Sequence, residues 1–496
     1  STNIWNSTSK ITYTYNGTTF TNFMGNYWSD YEGNDTNGDG IGDTAYNINS
    51  DADSHPLIEP WENYFIMPAQ ILPSVVTVPL IYNGKLFVGC ADNKVYALNV
   101  TDPAQIIWTS EQLNGNISKY LSVDDTGVYA TATTRIFPYP ADGFVYKLNP
   151  ENGVIIWRYR NGAPITGGVD NDLVFVGYRG GYVDDGYAIA LNKATGTKVW
   201  GPIHITDCGT TLPAIDGNRV YISGHAMTGV KFRAIYYNGT LAWTDYFGKA
   251  SHRYIIVEGK DVFTLYSPPP HIGVDTRNWY IKIYNSTTGR RIGTYSVGKN
   301  YYGGDFAIAP DKIILTNSSG VFAYNRSNFS LLWNCSLSAK PYREQPIVTR
   351  DTVIVATKDN RINFIDSLSG QIYRIEEISA NLTSPMSLVV GPSGCIYIGT
   401  EDGIRSISFP TTGKYVNWVS YGRDFRHTGY VDCLREKEYY IFDTGSPSNP
   451  YPSIAGIHNG TIIPNKTIIA TKLYTYPCGG TGGHTEYARI WNKTWN

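Results

Sequence analysis

The stretch Asp35-Thr-Asn37-Gly-Asp39-Gly40-Ile41-Gly-Asp43 sets oxygen-bearing side chains at alternate positions and a glycine at the sixth. That pattern wraps a loop around a hard cation such as calcium, with the glycine allowing the sharp turn. Asp35, Asn37, Asp39 and Asp43 would supply side chains, and Ile41 its backbone carbonyl. The twelfth position is Tyr46, not Glu, so a further carboxylate has to come from nearby, Asp51 or Asp53. No helix pattern flanks the loop, so its role would be to stiffen a segment short of core. The competing reading is a solvated Asn/Asp/Gly turn.

A second set of residues points to modification. Asn-X-Ser/Thr triplets occur at Asn6, Asn16, Asn34, Asn99, Asn116, Asn238, Asn285, Asn317, Asn325, Asn328, Asn334, Asn381, Asn459, Asn465 and Asn492. Fifteen acceptors exceed what the Ser and Thr content gives by chance, and they predict N-linked glycans on an extracellular, cell-surface protein. A Thr/Asn-rich β protein whose turns make such triplets accidentally is the alternative. Cysteines stand at 90, 208, 335, 395, 433 and 478 with no Cys-X-X-Cys, so neither haem attachment nor a zinc ribbon is indicated. An even count in an exported chain favours disulfides, with Cys433 and Cys478 the first candidate pair and buried thiols expected at Cys90 and Cys395.

Other chemistry finds little support. His484 and Glu486 fall on one face of a strand but lack a third ligand; His252, His271 and His427 are scattered. Asp184-Asp185 and Glu376-Glu377 are sequence neighbours, which puts each pair on opposite strand faces. No Gly-X-Ser-X-Gly, phosphate-loop or His-Glu-X-X-His pattern occurs. A formal charge of −2 gives no steering toward nucleic acid. No run of eighteen apolar residues suggests a membrane span.

The elements that must carry these residues recur. A hydrophobic strand, a Gly turn, a strand with a small residue and a strand ending near Trp repeat eight times between about Ser74 and Gly429. Anchors of the second strand fall at Phe87, Tyr129, Phe175, Tyr221, Phe263, Ile314, Ile354 and Tyr397, spaced by 42, 46, 46, 42, 51, 40 and 43 residues. Such periods predict an all-β, eight-bladed β-propeller, because one four-stranded sheet keeps neither face dry alone. The tryptophans are expected to wedge between blades and bond through the indole N–H.

The repeat unit, as in Leu173-Val-Phe-Val-Gly177, Gly186-Tyr-Ala-Ile-Ala-Leu191 and Thr195-Gly-Thr-Lys-Val-Trp200, resembles the pyrroloquinoline-quinone (PQQ) enzyme-like propellers. Trp418-Val-Ser-Tyr-Gly-Arg-Asp-Phe-Arg-His-Thr-Gly429 is similar to the closing segment of their non-enzymatic archaeal and bacterial members. PQQ catalysis in that family implies a vicinal Cys-Cys pair, calcium held by Glu and Asn, and an Asp base. No adjacent cysteines occur here, so no PQQ is expected. Residues 1–64, with Gly25-Asn-Tyr-Trp-Ser-Asp-Tyr31 and His55-Pro-Leu57, resemble the end of a right-handed β-helix in archaeal surface proteins of the periplasmic copper-binding type; no copper ligand cluster accompanies it. Residues 433–496 resemble a β module of archaeal surface proteins that stops short at Trp491-Asn-Lys-Thr-Trp495.

The domain expectation is therefore a β-helix-end-like segment at 1–64, a propeller at 65–432 and a small β domain at 433–496. Incomplete terminal modules predict a homopolymer, a surface filament or sheath joined by strand exchange, without catalysis. A monomeric propeller binding carbohydrate or protein, and a PQQ-dependent dehydrogenase, are the rivals.

Overall fold

The computed structural model describes residues 5–431 except 8–9, 16–17, 50, 61–63, 67–69, 101–104, 136–141, 181–184, 208, 227–229, 248–249, 268–277, 300–304, 343–345, 350, 379–380, 384–387, 391–394, 409–415 and 419–429. Two compact units divide the chain, Ser1–Cys433 and Leu434–Asn496. The second lies outside the described residues.

Among the described residues every regular element is a strand. Seven antiparallel four-stranded cores, each drawn from one continuous stretch, follow one another as blades at 80–109, 122–161, 163–206, 214–247, 250–299, 306–336 and 347–377, with remote strands added to the inner edges of the fifth and seventh. The first strands of blades 1 to 5 touch in succession, as do those of blades 6 and 7, so the first strands line the ring's centre and the fourth strands form its rim. The eight expected anchors, Phe87 through Tyr397, all lie on second strands and are at most 2% exposed.

The expectation of eight like blades needs correcting: seven are self-contained, and the last repeat is not. Leu388–Val390, Cys395–Thr400 and Gly403–Ser408 form three strands of a final sheet, and Gln70–Ile71, from before the first blade, adds the fourth. The repeat's pattern of a last strand with Trp would put Val416–Trp418 in that place, but it pairs instead with Ile347–Thr349 of blade 7. The physical reason is closure. A fourth strand drawn from the opposite chain end ties the ring, whereas a contiguous one would leave it open. Leu72 and Val75 accordingly share one buried cluster with Val88, Val389, Tyr397 and Ile404.

Tryptophan joins the blades as expected. The indole N–H of Trp108, Trp157, Trp200, Trp243 and Trp333 donates to Pro150, Lys193, Tyr237, Ser286 and Ser367 carbonyls of the next blade, at 2.8–3.1 Å. Each indole lies on the turn glycine of that blade. A Cβ at Gly153, Gly196, Gly239, Gly289 or Gly370 would come within 2.5–2.8 Å of the ring, and each glycine has φ between 69° and 88°. Blade 5 departs from this rule. Tyr295 folds over Gly293 and stacks at 4.4 Å on Phe329, which holds the left-handed position itself, with φ 58°. Phe329 thus brings the area that Tyr295 lacks.

Each rim strand of the seven blades carries a bulge at its start, where two residues face one on the third strand. The exposed aliphatics Ile106, Ile107, Ile156, Val199, Leu241, Ile292, Leu331 and Leu332 sit at or beside these bulges.

The N-terminal segment has its own small core of Tyr13, Tyr15, Met24, Ile41, Leu57 and Tyr64. Its sheet, Thr18–Asn22, Ile11–Tyr15 and Phe65–Ile66, is antiparallel. A β-helix coil would pair in parallel, so the resemblance to a β-helix end does not extend to this sheet; Tyr27 and Leu57 alone form a parallel bridge.

Candidate functional site

The Asp-rich loop closes over that small core. Tyr13 Oη donates to the Asp39 carbonyl at 2.7 Å, and Tyr64 Oη donates to the Gly40 carbonyl. Burial raises both phenols well above the ordinary tyrosine range, so they stay protonated donors at any physiological pH. Inside the loop, the Asp39 N–H points at both Asp35 Oδ1 and Asn37 Oδ1, each at 3.0 Å. Asp35 Oδ2 accepts from Gly40 N–H at 2.7 Å, and the Asp39 carboxylate accepts from Ile41 N–H and from the amides of Asn22 and Asn37. Gly40, with φ 81°, makes the turn.

Three of the four expected side chains, Asp35, Asn37 and Asp39, thus accept the N–H groups of the Asp39–Ile41 turn, and their oxygens suit a hard cation in type. Asp43 is not among them: its Oδ2 accepts from Thr36 N–H and Oγ1 at 2.9 and 2.7 Å. The expected outer ligand does not arrive either. Asp53 accepts from Asn26 N–H, Trp28 Nε1 and His55 N–H, and Asp51 from Trp5 Nε1 and Ala52 N–H. Among the described residues no group of three or more His, Cys, Asp and Glu side chains is arranged to hold a metal ion.

Eleven of the expected glycan acceptors are described, and none is buried. Asn34, Asn116, Asn238, Asn328, Asn334 and Asn381 are exposed; Asn6, Asn99, Asn285, Asn317 and Asn325 are half-buried. Several sit in tight turns where the asparagine Oδ1 accepts the N–H two residues on, as Asn238 does from Thr240 and Asn325 from Ser327. The same turn recurs without an acceptor triplet at Asn192 and Asp366, so blade geometry alone favours Asn there. Asn16, Asn459, Asn465 and Asn492 lie outside the described residues, as do Cys208, Cys433, Cys478, Asp184, His271, His427, His484 and Glu486.

Cys90 and Cys335 are buried free thiols, and burial pushes both thiols up, away from the reactive thiolate. The ring's centre, where a propeller cofactor would sit, is bordered by the chain itself. Val416–Trp418 extends the inner edge of blade 7, and Tyr430–Val431 pairs in parallel with Val257 and Glu258 on the inner strand of blade 5. One buried amine stands out away from the centre. Lys282 Nζ lies 3.8 Å from the ring centroids of both Phe247 and Tyr266. Burial, reinforced by the Arg291 charge, draws it down to about 8 against the pull of Asp245.

Residues 277–428, under a third of the chain, match the family described as outer membrane protein assembly factor BamB. PQQ-like repeats of that kind and the propeller are thus features of this chain. No curated protein matches it. Among solved structures it is similar to BamB from Moraxella catarrhalis, with 17% identity, 70% of this chain and 99% of that one covered, and a TM-score of 0.50. The computationally designed Ika8 protein gives 14% identity, 69% and 98% coverage and 0.52. Sqt1 from Saccharomyces cerevisiae gives 8%, 70%, 98% and 0.53. At such identities the likeness speaks for fold alone, and the same ring serves both enzymes and binding proteins.

Proposed function

We propose that the chain is an extracellular, N-glycosylated structural protein, a subunit of a cell-surface filament or sheath joined by exchange of terminal strands, with no catalytic role. The observation that carries the reading is the closing strand. The last sheet is completed by only two residues, Gln70–Ile71, donated from the other end of the chain. A short, remote donor is the kind of element that copies can exchange at low cost. The exposed or half-buried positions of the described acceptor asparagines support the compartment. Electron micrographs and sedimentation of the native protein should reveal polymers many times the chain mass; a monodisperse monomer at all concentrations overturns the polymer. One observation favours a second reading, a monomeric module that binds carbohydrate or protein: Gln70–Ile71 already closes the ring within a single chain.

Calcium belongs to the same proposal. Asp35, Asn37 and Asp39, with the Ile41 carbonyl, would hold it, and it would stiffen a segment whose core is only six residues. Calcium at a hundredfold excess over its dissociation constant adds about 2.7 kcal/mol to whatever it binds. The melting temperature is expected to fall on chelation and return with calcium but not magnesium; an unchanged melt removes calcium.

A further inference from the structure

Arg233 stands in an apolar interface with nothing to hold its charge. It lies on the third strand of blade 4, Val230–Tyr236, directly opposite Ile222 on the second strand, so the two side chains share one sheet face. That face turns to blade 3, since Ile222 and Ile235 pack there with Ala188 and Ile205, while Phe232 and Ala234 on the other face pack toward blade 5. Arg219, Arg326, Arg374 and Arg405 each reach a carboxylate, on Asp216, Glu258, Glu376 and Asp402. Arg233 makes no hydrogen bond or ion pair among the described residues, and its Nε is fully buried. Burial alone draws the guanidinium below the usual arginine range. A second orphan lies in the same interface. Thr210 Oγ1 is buried without a hydrogen-bond partner among the described residues. A Cβ on Gly177 would lie 2.3 Å from it and 3.3 Å from Ile222 Cδ1, so the hydroxyl sits beside the side chain that neighbours Arg233.

Blade 5 shows how the chain covers such a cation elsewhere. Ala234 pairs with the anchor Tyr221 and Ile283 with the anchor Phe263, so Arg233 and Lys282 occupy one register position in successive blades. The rings of Phe247 and Tyr266 lie 3.8 Å from Lys282 Nζ, one on the outer strand of the preceding blade and one on the second strand of its own. Counted along the same registers, the residues in those two places around Arg233 are Thr206 and Gly224. Neither has a ring to lay over a guanidinium, and Thr206 Oγ1 already donates to the Gly209 carbonyl at 2.6 Å.

We propose that Arg233, with Thr210 on the same side, is a binding site for a small organic carboxylate between blades 3 and 4. A charge withdrawn from water without a partner is costly, and a bound anion cancels that cost. The planar fork of the guanidinium takes both oxygens of a carboxylate, and a hydroxyl is a further donor. The walls decide the kind of anion. Ile203, Ile205, Ile222 and Ile235 pack in this interface, so an anion carried on carbon suits it better than a strongly hydrated sulfate or phosphate. Lys231, on the same strand face as Arg233 and without an ion pair among the described residues, adds attraction at close range. The site needs neither calcium nor assembly into a polymer.

The test is a titration of the full chain with acetate, followed by ligand-observed NMR in a buffer free of other carboxylates. Saturable binding is expected in the wild type and its loss in Arg233→Met. Arg233→Lys, which keeps the charge without the fork, should bind roughly tenfold more weakly and stands in if the methionine variant does not fold. Thr210→Val should weaken binding several-fold, and Arg158→Met on the exposed rim should leave it unchanged. Acetate should raise the melting temperature of the wild type and not that of Arg233→Met. Without acetate, Arg233→Met should melt no lower than the wild type, because the charge it removes has no partner. A wild-type chain that shows no saturable acetate signal overturns the site, as does binding that survives unchanged in Arg233→Met and Arg233→Lys. Sulfate that displaces acetate at an equal or lower concentration overturns the assignment to a carboxylate.

Discussion

Trp243→Ala is expected to destabilise the chain by about 3–5 kcal/mol, the range for removing a large aromatic from a packed interior. Trp243 is the hub of the blade 4–5 contact. Its ring stands 5.2 Å from Phe232, 5.9 Å from Tyr221 and 5.9 Å from Tyr284, and its Nε1 reaches the Ser286 carbonyl at 2.9 Å. Tyr221 Oη lies 3.3 Å from that carbonyl but gives its one proton to Asp216 Oδ2 at 2.6 Å, so the Ser286 carbonyl loses its close donor when the indole goes. The cavity, not the hydrogen bond, dominates. Trp243→Phe should therefore cost only about 1–2 kcal/mol, one buried hydrogen bond plus a little area.

A cycle with Gly289→Ala separates packing from backbone strain. In the native chain the new Cβ would sit 2.6 Å from the indole and at φ 69°, so it meets both a clash and a left-handed penalty. In the Trp243→Ala background only the backbone penalty remains, about 1 kcal/mol. Urea midpoints should show the second substitution costing at least about 1 kcal/mol less there. Equal costs in the two backgrounds would mean that the indole does not rest on the turn.

The repeat was readable because its parts follow local rules. Anchors such as Phe87 and Tyr397 sit in short apolar runs, Trp recurs at a fixed place near the start of the rim strand, which runs on past it, and a glycine marks the turn beneath the indole. Two residues break the pattern together: Phe329 takes a glycine's place and Tyr295 a tryptophan's, a compensation visible only once their rings are seen stacked. The closing strand was not readable. Gln70–Ile71 is too short to show a period, and the prolines at 68 and 73 read as a linker. Val416–Trp418 misled for the opposite reason, since a strand with Trp fits the repeat while its pairing is decided by which sheet edge stands free. In the Asp-rich loop the residue types were legible and the geometry was not. Nothing in the order of residues says that Asp43 turns to Thr36.

Removing residues 1–73 should do more damage than losing any one side chain. Leu72 N–H donates to the Asp402 carbonyl at 3.2 Å and Val75 N–H to the Thr400 carbonyl at 3.1 Å, so the N-terminal stretch is laced along the last sheet. Tyr397 Oη donates across the same seam to the Val100 carbonyl of blade 1. Without the donor, Gly403–Ser408 becomes an open edge. The buried cluster of Leu86, Val88, Val389 and Ile404 loses its cover from Leu72. Burying one leucine is worth about 2–5 kcal/mol, and the freed ladder and edge add to that. The expected result is a melting temperature lower by about 5–10 °C, since each kcal/mol shifts a chain above 150 residues by a few degrees. Early proteolysis between 388 and 408 should accompany it. A peptide spanning 65–75 added in trans should recover much of the loss, because the donor binds through backbone pairing and one apolar side chain. Recovery would establish that the seam accepts a strand it is not covalently joined to, which is the step a strand-exchanged filament requires. A truncated chain that melts like the full one would mean the ring holds without its closing strand, and the exchange would lose its physical basis.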